Sequence, residues 1–381
     1  MTDNFSQQKI IVVASLGSSL VNFRLELLKR MAANGHQVLA LAPEIDADTR
    51  AVLAKFGIET RSFPMRRAGL NPFRDFQTFL ALRKIFRQFK PDYIIPYTAK
   101  PIIYANLVGR LENVPHRFAL FTGLGFAFLN DHPVGKKWLI RQIAILLYRF
   151  SSKGMECAFT YNPKETEDLR NFKLVSPSTP ILEVPGSGVD TQLYAASVPN
   201  IKPMRFLMVS RLLKSKGVHI FVAAAERLKA KGYDIETVIL GPMDANPDAI
   251  SQRQLDKWVA EKTVEYVGET KDVRPFLTQS SVVVLPSMYR EGIPRSILEA
   301  MSSGRAVITS DMPGCAHSII DKKDGFIVKT GDVGELEKAM EKFIENPQLA
   351  IEMGHYGRLH ACNIFDVHKV NEILLTKMGL E

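Results

Sequence analysis

Short aliphatic runs alternate with segments of helical periodicity along this chain, and the series starts again near its midpoint. The first run, "KIIVVAS" (9–15), has no polar alternation, the pattern of a strand covered on both faces in a parallel sheet. A Gly/Ser turn, "LGSS" (16–19), leads into "LVNFRLELLKRMAANGH" (20–36), which has helical periodicity and a stop at Gly35. "QVLALAP" (37–43) and "DYIIPY" (92–97) read as strands, and 48–57, 75–90 and 136–153 as helices. After "SVPNIKP" (197–203) the pattern resumes, with strands at 204–210, 235–241, 264–268, 281–287, 306–311 and 324–329 and helices at 217–232 and 253–263. Two successive βα series predict an α/β chain with two Rossmann-like, doubly wound parallel sheets. The expected domains are 1–198, 199–360 and a terminal helix in 361–381 that packs back on the first domain. Ligands of such sheets bind outside the carboxyl ends of the strands, so the expected site is a cleft between the domains, lined by strand-to-helix loops.

Length agrees with two domains, since 381 residues exceed the usual single-domain size. The opening "MTDNFSQQKI" lacks the features of a secretory signal, no run reaches the length of a membrane span, and the three cysteines form no CxxC. These features predict a cytoplasmic protein. The net charge of +9 is unevenly spread: residues 1–190 hold 25 basic and 16 acidic residues, and residues 191–381 hold 24 of each. Within 51–150 the balance is 16 basic to 5 acidic, which predicts a phosphate-rich partner. The segment 63–90 interleaves seven Lys/Arg with six Phe, and Lys136, Lys137, Trp138 and Arg141 head another apolar helix. Cations beside aromatics predict contact with an anionic membrane surface, on the inner leaflet.

Two loops carry residues with chemistry. In "EGIPRSILEAM" (291–301), Pro294 suits the first turn of a helix, so Glu291 precedes the helix and Glu299 stands in its second turn. A helix N-terminus favours anions, and carboxylates beside it suit hydroxyl donors, so a phosphate and two sugar rings fit together there. Spacing alone is equally met by two solvated helix acids. In "SRLLKSKGVHIF" (210–221), Arg211 and Lys216 lie between a strand and a helix, where fixed cations can neutralise a diphosphate leaving group. The same residues also suit a merely solvated basic loop. "DAD" (46–48) has the form of a metal-binding Asp-x-Asp but reads better as a helix start, and His355 and His360 read as structural.

"SRLLKSKG", "EGIPRSILEAMSSGRAVITSDMPG" and "DGFIVK" resemble the signature of retaining GT-B glycosyltransferases of glycosyltransferase family 4. "LGSSLVNFRLELLKRMAANGHQVLALAP", "YTAKPIIYANLVGRLENVP" and "TGLGFAF" are similar to the branch that builds capsule, O-antigen and protein-glycan precursors on a lipid carrier. The resemblance implies that Arg211 and Lys216 bind the donor diphosphate, Glu291 the donor sugar and Glu299 the ribose. It adds Gly292 and Ile293 to the donor site, and Gly17 as a place where backbone approaches the reacting centre. It implies a nucleotide diphosphate sugar donor, UDP-linked, a lipid-linked saccharide acceptor, no cofactor and no required metal. Thr122 stands where many relatives have histidine, and Ala316 and His317 replace a charged pair, so those side-chain roles do not transfer. Two other classes remain open: a nucleotide-sugar epimerase on the same fold, and a nucleic-acid-binding protein. The epimerase leaves the basic amino-terminal half unexplained, and the chain has no nucleic-acid recognition module, so no nucleic-acid partner is expected.

Overall fold

The computed structural model describes residues 7–66, 71–128, 133–244, 246 and 248–381. Residues 67–70 of the basic stretch therefore lie outside the described residues. The chain divides into two compact units, Met1–Gly186 with Val370–Glu381, and Ser187–Lys369.

The first unit is built on seven parallel strands: β1 (Lys9–Val13), β2 (Gln37–Ala42), β3 (Glu59–Ser62), β4 (Tyr93–Pro96), β5 (His116–Leu120), β6 (Cys157–Thr160) and β7 (Ile181–Glu183). Their order is β3-β2-β1-β4-β5-β6-β7. β1 is central because Ile10–Val13 are fully buried, with Val13 paired to Leu41 on one side and Pro96 on the other. The edge strands β3, "ETRS", and β7, "ILE", carry no such run, because an edge strand packs on fewer neighbours.

Helices Pro72–Phe89, Ala99–Leu111 and Lys136–Ser151 pack side by side. The first starts earlier than its periodicity suggests because Asn71 caps it, accepting from Arg74 N, with Pro72 in the first turn. Phe63, Phe86 and Phe89 are core residues, whereas Phe73 and Phe76 face solvent. Arg141, expected among the membrane-facing cations, is instead buried. It falls on the inward face with Ala144, Ile145 and Tyr148, and stacks on the rings of Phe172 at 4.4 Å and Phe128 at 5.6 Å. Among the described residues, no helix is long and apolar enough to cross a membrane.

The second unit holds six parallel strands: β8 (Met204–Val209), β9 (Ile235–Leu240), β10 (Glu265–Gly268), β11 (Val282–Leu285), β12 (Ala306–Ser310) and β13 (Gly325–Val328). Their order is β10-β9-β8-β11-β12-β13. The segment after Gly186, read from sequence as the end of the first domain, is carried by this unit. Fully buried Arg305 donates to Ser197 O (2.7 Å) and Leu277 O (2.6 Å), Arg358 donates to Thr191 O (2.8 Å), and Ser302 Oγ donates to Tyr194 O (2.8 Å). A side-chain network of this kind is invisible to periodicity. The last residues belong with the first unit, where Asn34 donates to Leu380 O at 2.9 Å.

Candidate active site

Strand order reverses once in each sheet, between β1 and β4 and between β8 and β11. Loops leaving the carboxyl ends of such a pair diverge and open a crevice. In the second unit those loops are 210–217 after β8 and 286–294 after β11, the two motif-bearing segments. Met288 N donates to Ser215 O at 2.7 Å and ties them together. Gly217 has φ +79°, and a Cβ there would lie 2.0 Å from Pro286 O, so only glycine lets the loops meet this closely.

The result is a side-chain pair that joins the two motifs. Lys216 Nζ donates to Glu291 Oε2 at 2.5 Å, each side chain being 16% exposed. Ser287 Oγ donates to Glu291 Oε1 at 2.8 Å, so each carboxylate oxygen is held by a different donor. Ser287 is fully buried, and its carbonyl accepts from Ser310 Oγ of β12 at 2.5 Å. Gly292 and Ile293 are buried beneath the loop. A Cβ on Gly314 would lie 1.6 Å from Gly292 O, so that glycine lets a neighbouring turn seat the 291–293 backbone. Burial first, and then the charge of Glu291, push the Cys315 thiol up to about 12, so it stays protonated.

Arg211, on the same loop as Lys216, points its guanidinium at Asp244 Oδ2 (2.7 Å) in the loop after β9. This pair is open to water, with side chains 44% and 21% exposed. Glu299 sits in the helix Arg295–Ser302 and is only 9% exposed. Tyr194 OH (2.9 Å) and Arg295 Nε (2.8 Å) both donate to its Oε1. Among the described residues, nothing donates to Oε2. Burial pushes the Glu299 carboxyl above the ordinary range, against the pull of Arg295 and Tyr194 toward the ionised form.

The candidate residue of the first unit, Gly17, has its close approach made by the chain itself. A Cβ there would lie 2.0 Å from Glu44 O, in the loop after β2. Beside it lies a buried polar cluster: Ser19 Oγ meets Tyr97 OH at 2.8 Å, and Arg24, 2% exposed, bonds Tyr161 OH and lies over the Tyr97 ring at 5.1 Å. Tyr161 N donates to Glu165 Oε2 at 2.9 Å, and Gly123, next to Thr122, bonds the same carboxyl group. Burial pushes Glu165 up to about 8. Thr98, after β4, has φ +67°, strained for a β-branched residue. Asp46 of the Asp-x-Asp caps a helix, accepting from Thr49 N at 2.7 Å, and His360 pairs with Asp324 at 2.5 Å.

Tyr194, Arg295, Ser287, Asp244 and Gly314 were not among the residues expected from sequence. Tyr194 and Glu299 are 105 positions apart, and no local spacing connects them. Gly314 follows Pro313 after β12, a βα-turn signal that could have been read.

Two family descriptions match the chain. "Glycosyl transferase 4-like domain" covers residues 21–186, and "Glycosyl transferases group 1" covers residues 192–360. The chain is 27% identical to a Campylobacter jejuni N,N'-diacetylbacillosaminyl-diphospho-undecaprenol alpha-1,3-N-acetylgalactosaminyltransferase, across 91% of this chain and 92% of that one. It is 26% identical to an Escherichia coli UDP-Gal:alpha-D-GlcNAc-diphosphoundecaprenol alpha-1,3-galactosyltransferase, across 78% and 77% of the two chains. The sucrose-phosphate synthase of Thermosynechococcus elongatus superposes with a TM-score of 0.77 at 17% identity, across 97% and 98% of the two chains.

Proposed function

The chain belongs to the GT-B glycosyltransferases, and from that premise we propose that it is a retaining enzyme acting on a lipid carrier. It moves a hexose or N-acetylhexosamine from a UDP-linked sugar to an undecaprenyl-diphosphate-linked saccharide, in bacterial surface polysaccharide or glycoprotein glycan assembly. The observation that carries the reading is the Lys216–Glu291 pair at the switch point of the second sheet. It puts a cation for a leaving diphosphate beside a carboxylate for the sugar that leaves it. The lipid carrier is supported by the names of the Campylobacter and Escherichia relatives.

Arg211 and Lys216 exchange their carboxylate partners for the donor diphosphate. Glu291 accepts from hydroxyls of the donor sugar, and Glu299 Oε2 from the ribose. The acceptor hydroxyl attacks C1 on the face from which the diphosphate departs. The C1–O bond to the diphosphate breaks as the glycosidic C1–O bond forms, and the hydroxyl proton passes to a leaving phosphate oxygen. Charge that grows on the diphosphate is met by cations already in place, the preorganised term that dominates reactions of this type. With two cations there, no metal is required. The protein works at the inner face of the cell membrane, bound peripherally. Titration with UDP, followed by thermal melting, tests the donor half: at 100 times its dissociation constant UDP stabilises the fold by about 2.7 kcal/mol. A melting point unmoved by UDP at millimolar concentration contradicts it.

A further inference from the structure

The helix Lys136–Ser151 is apolar on both sides. Its inward face, Ala144, Ile145 and Tyr148 with Arg141, packs into the first unit. Its outward face carries Trp138, Leu139, Ile143, Leu146 and Phe150, which are 52%, 53%, 41%, 54% and 47% exposed. At 3.6 residues per turn these five share an arc of about 140°. Within that arc Leu146, Leu139, Phe150 and Ile143 form an apolar strip of about 60°, with exposed Arg149 and Gln142 between it and Trp138, and an apolar strip edged by polar residues is what an interfacial helix presents to lipid.

Charge narrows the choice. Lys136 and Lys137 stand exposed at one end of the face, and Arg149 and Lys153 at the other. No Asp or Glu occurs between Pro133 and Met155. Lys153 lies over the Phe150 ring at 5.4 Å, which keeps a cation at the edge of the apolar strip. A second copy of the chain fits this face badly, because an isologous antiparallel contact brings the cations of one end against those of the other. A plane of anionic head groups above hydrocarbon satisfies both the apolar strip and its cationic ends. The helix Pro72–Phe89, on the far side of Ala99–Leu111, also carries exposed Phe73 and Phe76.

We propose that the outward face of Lys136–Ser151 is the surface on which the protein seats in an anionic bilayer, with Leu139, Ile143, Leu146 and Phe150 below the head groups and Lys136, Lys137 and Lys153 among them. The inference rests on the reading of the acceptor as lipid-linked, and it gives that reading a defined docking face.

Vesicle binding tests it, using phosphatidylcholine alone and phosphatidylcholine with one part in four phosphatidylglycerol. Wild type binds the mixed vesicles, and binding falls at least tenfold between about 0.1 M and 1 M salt, where the screening length shrinks from about 10 Å to 3 Å. The double variant Leu139→Gln, Leu146→Gln loses at least tenfold in binding at low salt while melting as wild type does. In a Trp258→Phe background, Trp138 is the one tryptophan of the two in the chain that remains. Its emission shifts to the blue on binding and is quenched by brominated lipid. The proposal is overturned if the double variant binds as wild type does, if Trp138 stays in water on bound protein, or if wild type ignores anionic vesicles. It is also overturned if the substitutions convert a dimer to a monomer in sedimentation, because the face would then be a self-contact. Transfer to a short-chain, water-soluble acceptor analogue tests the lipid-linked reading separately. If that transfer fails while vesicle binding behaves as described, the reading of the acceptor falls and the docking face stands.

Discussion

Replacing Arg211 with alanine separates chemistry from stability more cleanly than any other change in the donor site. Among the described residues its guanidinium pairs with Asp244, at 2.7 Å, in a pair 44% and 21% exposed. In water two unit charges about 4 Å apart gain about 1 kcal/mol, and measured surface pairs contribute about 0–1 kcal/mol. Arg211→Ala is therefore expected to lower the melting point by no more than about 4 °C, the shift for 1 kcal/mol in a unit of this size. Loss of a preorganised charge at a leaving diphosphate has a larger consequence. By analogy with removal of one oxyanion donor, kcat falls by about 10² to 10³, or about 3–4 kcal/mol. Arg211→Lys retains the charge without the planar fork and is expected to fall between the two. Asp244→Asn removes the resident carboxylate, so UDP binds at least as tightly as to wild type. Steady-state transfer at saturating donor, beside calorimetric melting of each variant, gives both numbers. A kcat within about threefold of wild type for Arg211→Ala refutes the role. A collapse of melting that parallels the loss of activity shows instead that Arg211 is structural.

Lys216→Ala takes the cation away from Glu291 Oε2 in a largely buried place, so it is expected to lower both kcat and the melting point. Adding Glu291→Gln should return the melting point but not the turnover, and a double variant that regains turnover would show that the cation is dispensable. Glu299→Ala and Tyr194→Phe should both weaken UDP binding measured by calorimetry. In wild type, affinity should decline on acidification at a pH above the ordinary carboxylate range, because burial raises Glu299, and Tyr194→Phe should move that decline higher still. An unchanged UDP affinity in Glu299→Ala removes the ribose contact. Glu165 is raised from 4.5 to about 8, so the folded state holds a proton that the unfolded chain has lost. Its contribution is therefore complete below about pH 4.5 and declines by about 1.4 kcal/mol per pH unit up to about pH 8. Glu165→Gln should flatten that slope, with little change at pH 5 and a relative gain at pH 8, and parallel denaturation curves for the two proteins would exclude the effect.

Much of the architecture could be read in the sequence because β1, β8 and β11 are buried on both faces, and burial leaves an unbroken aliphatic run. The polar edge strand β3 has no such imprint, and the short strands β5, β6 and β7, of three to five residues, are too brief to give one, so none of the four is read from sequence. Lys216 and Glu291 each stood out within a strand-to-helix loop. That they touch depends on the β8–β11 adjacency, a crossover that no local pattern encodes. Some residues have a packing role that the sequence does not show. Gly17 reads as a place for a ligand to approach, and the structure adds a close approach by Glu44 O that also requires glycine. Arg141 looked like a surface cation, but helical phase turns it onto Phe172. The partners of Glu299 were out of reach because Tyr194 arrives from a segment held to the second unit by Arg358 and Ser302.

The most direct test of the central claim is transfer itself. Purified protein is incubated with each UDP-sugar, with and without a polyprenyl-diphosphate-linked N-acetylhexosamine, and the products are read by mass spectrometry and proton NMR. The account predicts that the acceptor gains one hexose or N-acetylhexosamine, and that the new linkage keeps the α configuration of the donor, with UDP released in equal amount. An inverted linkage would contradict the front-face course. A nucleotide sugar converted to its epimer without acceptor, with no transfer from any donor when acceptor is present, would contradict the claim as a whole.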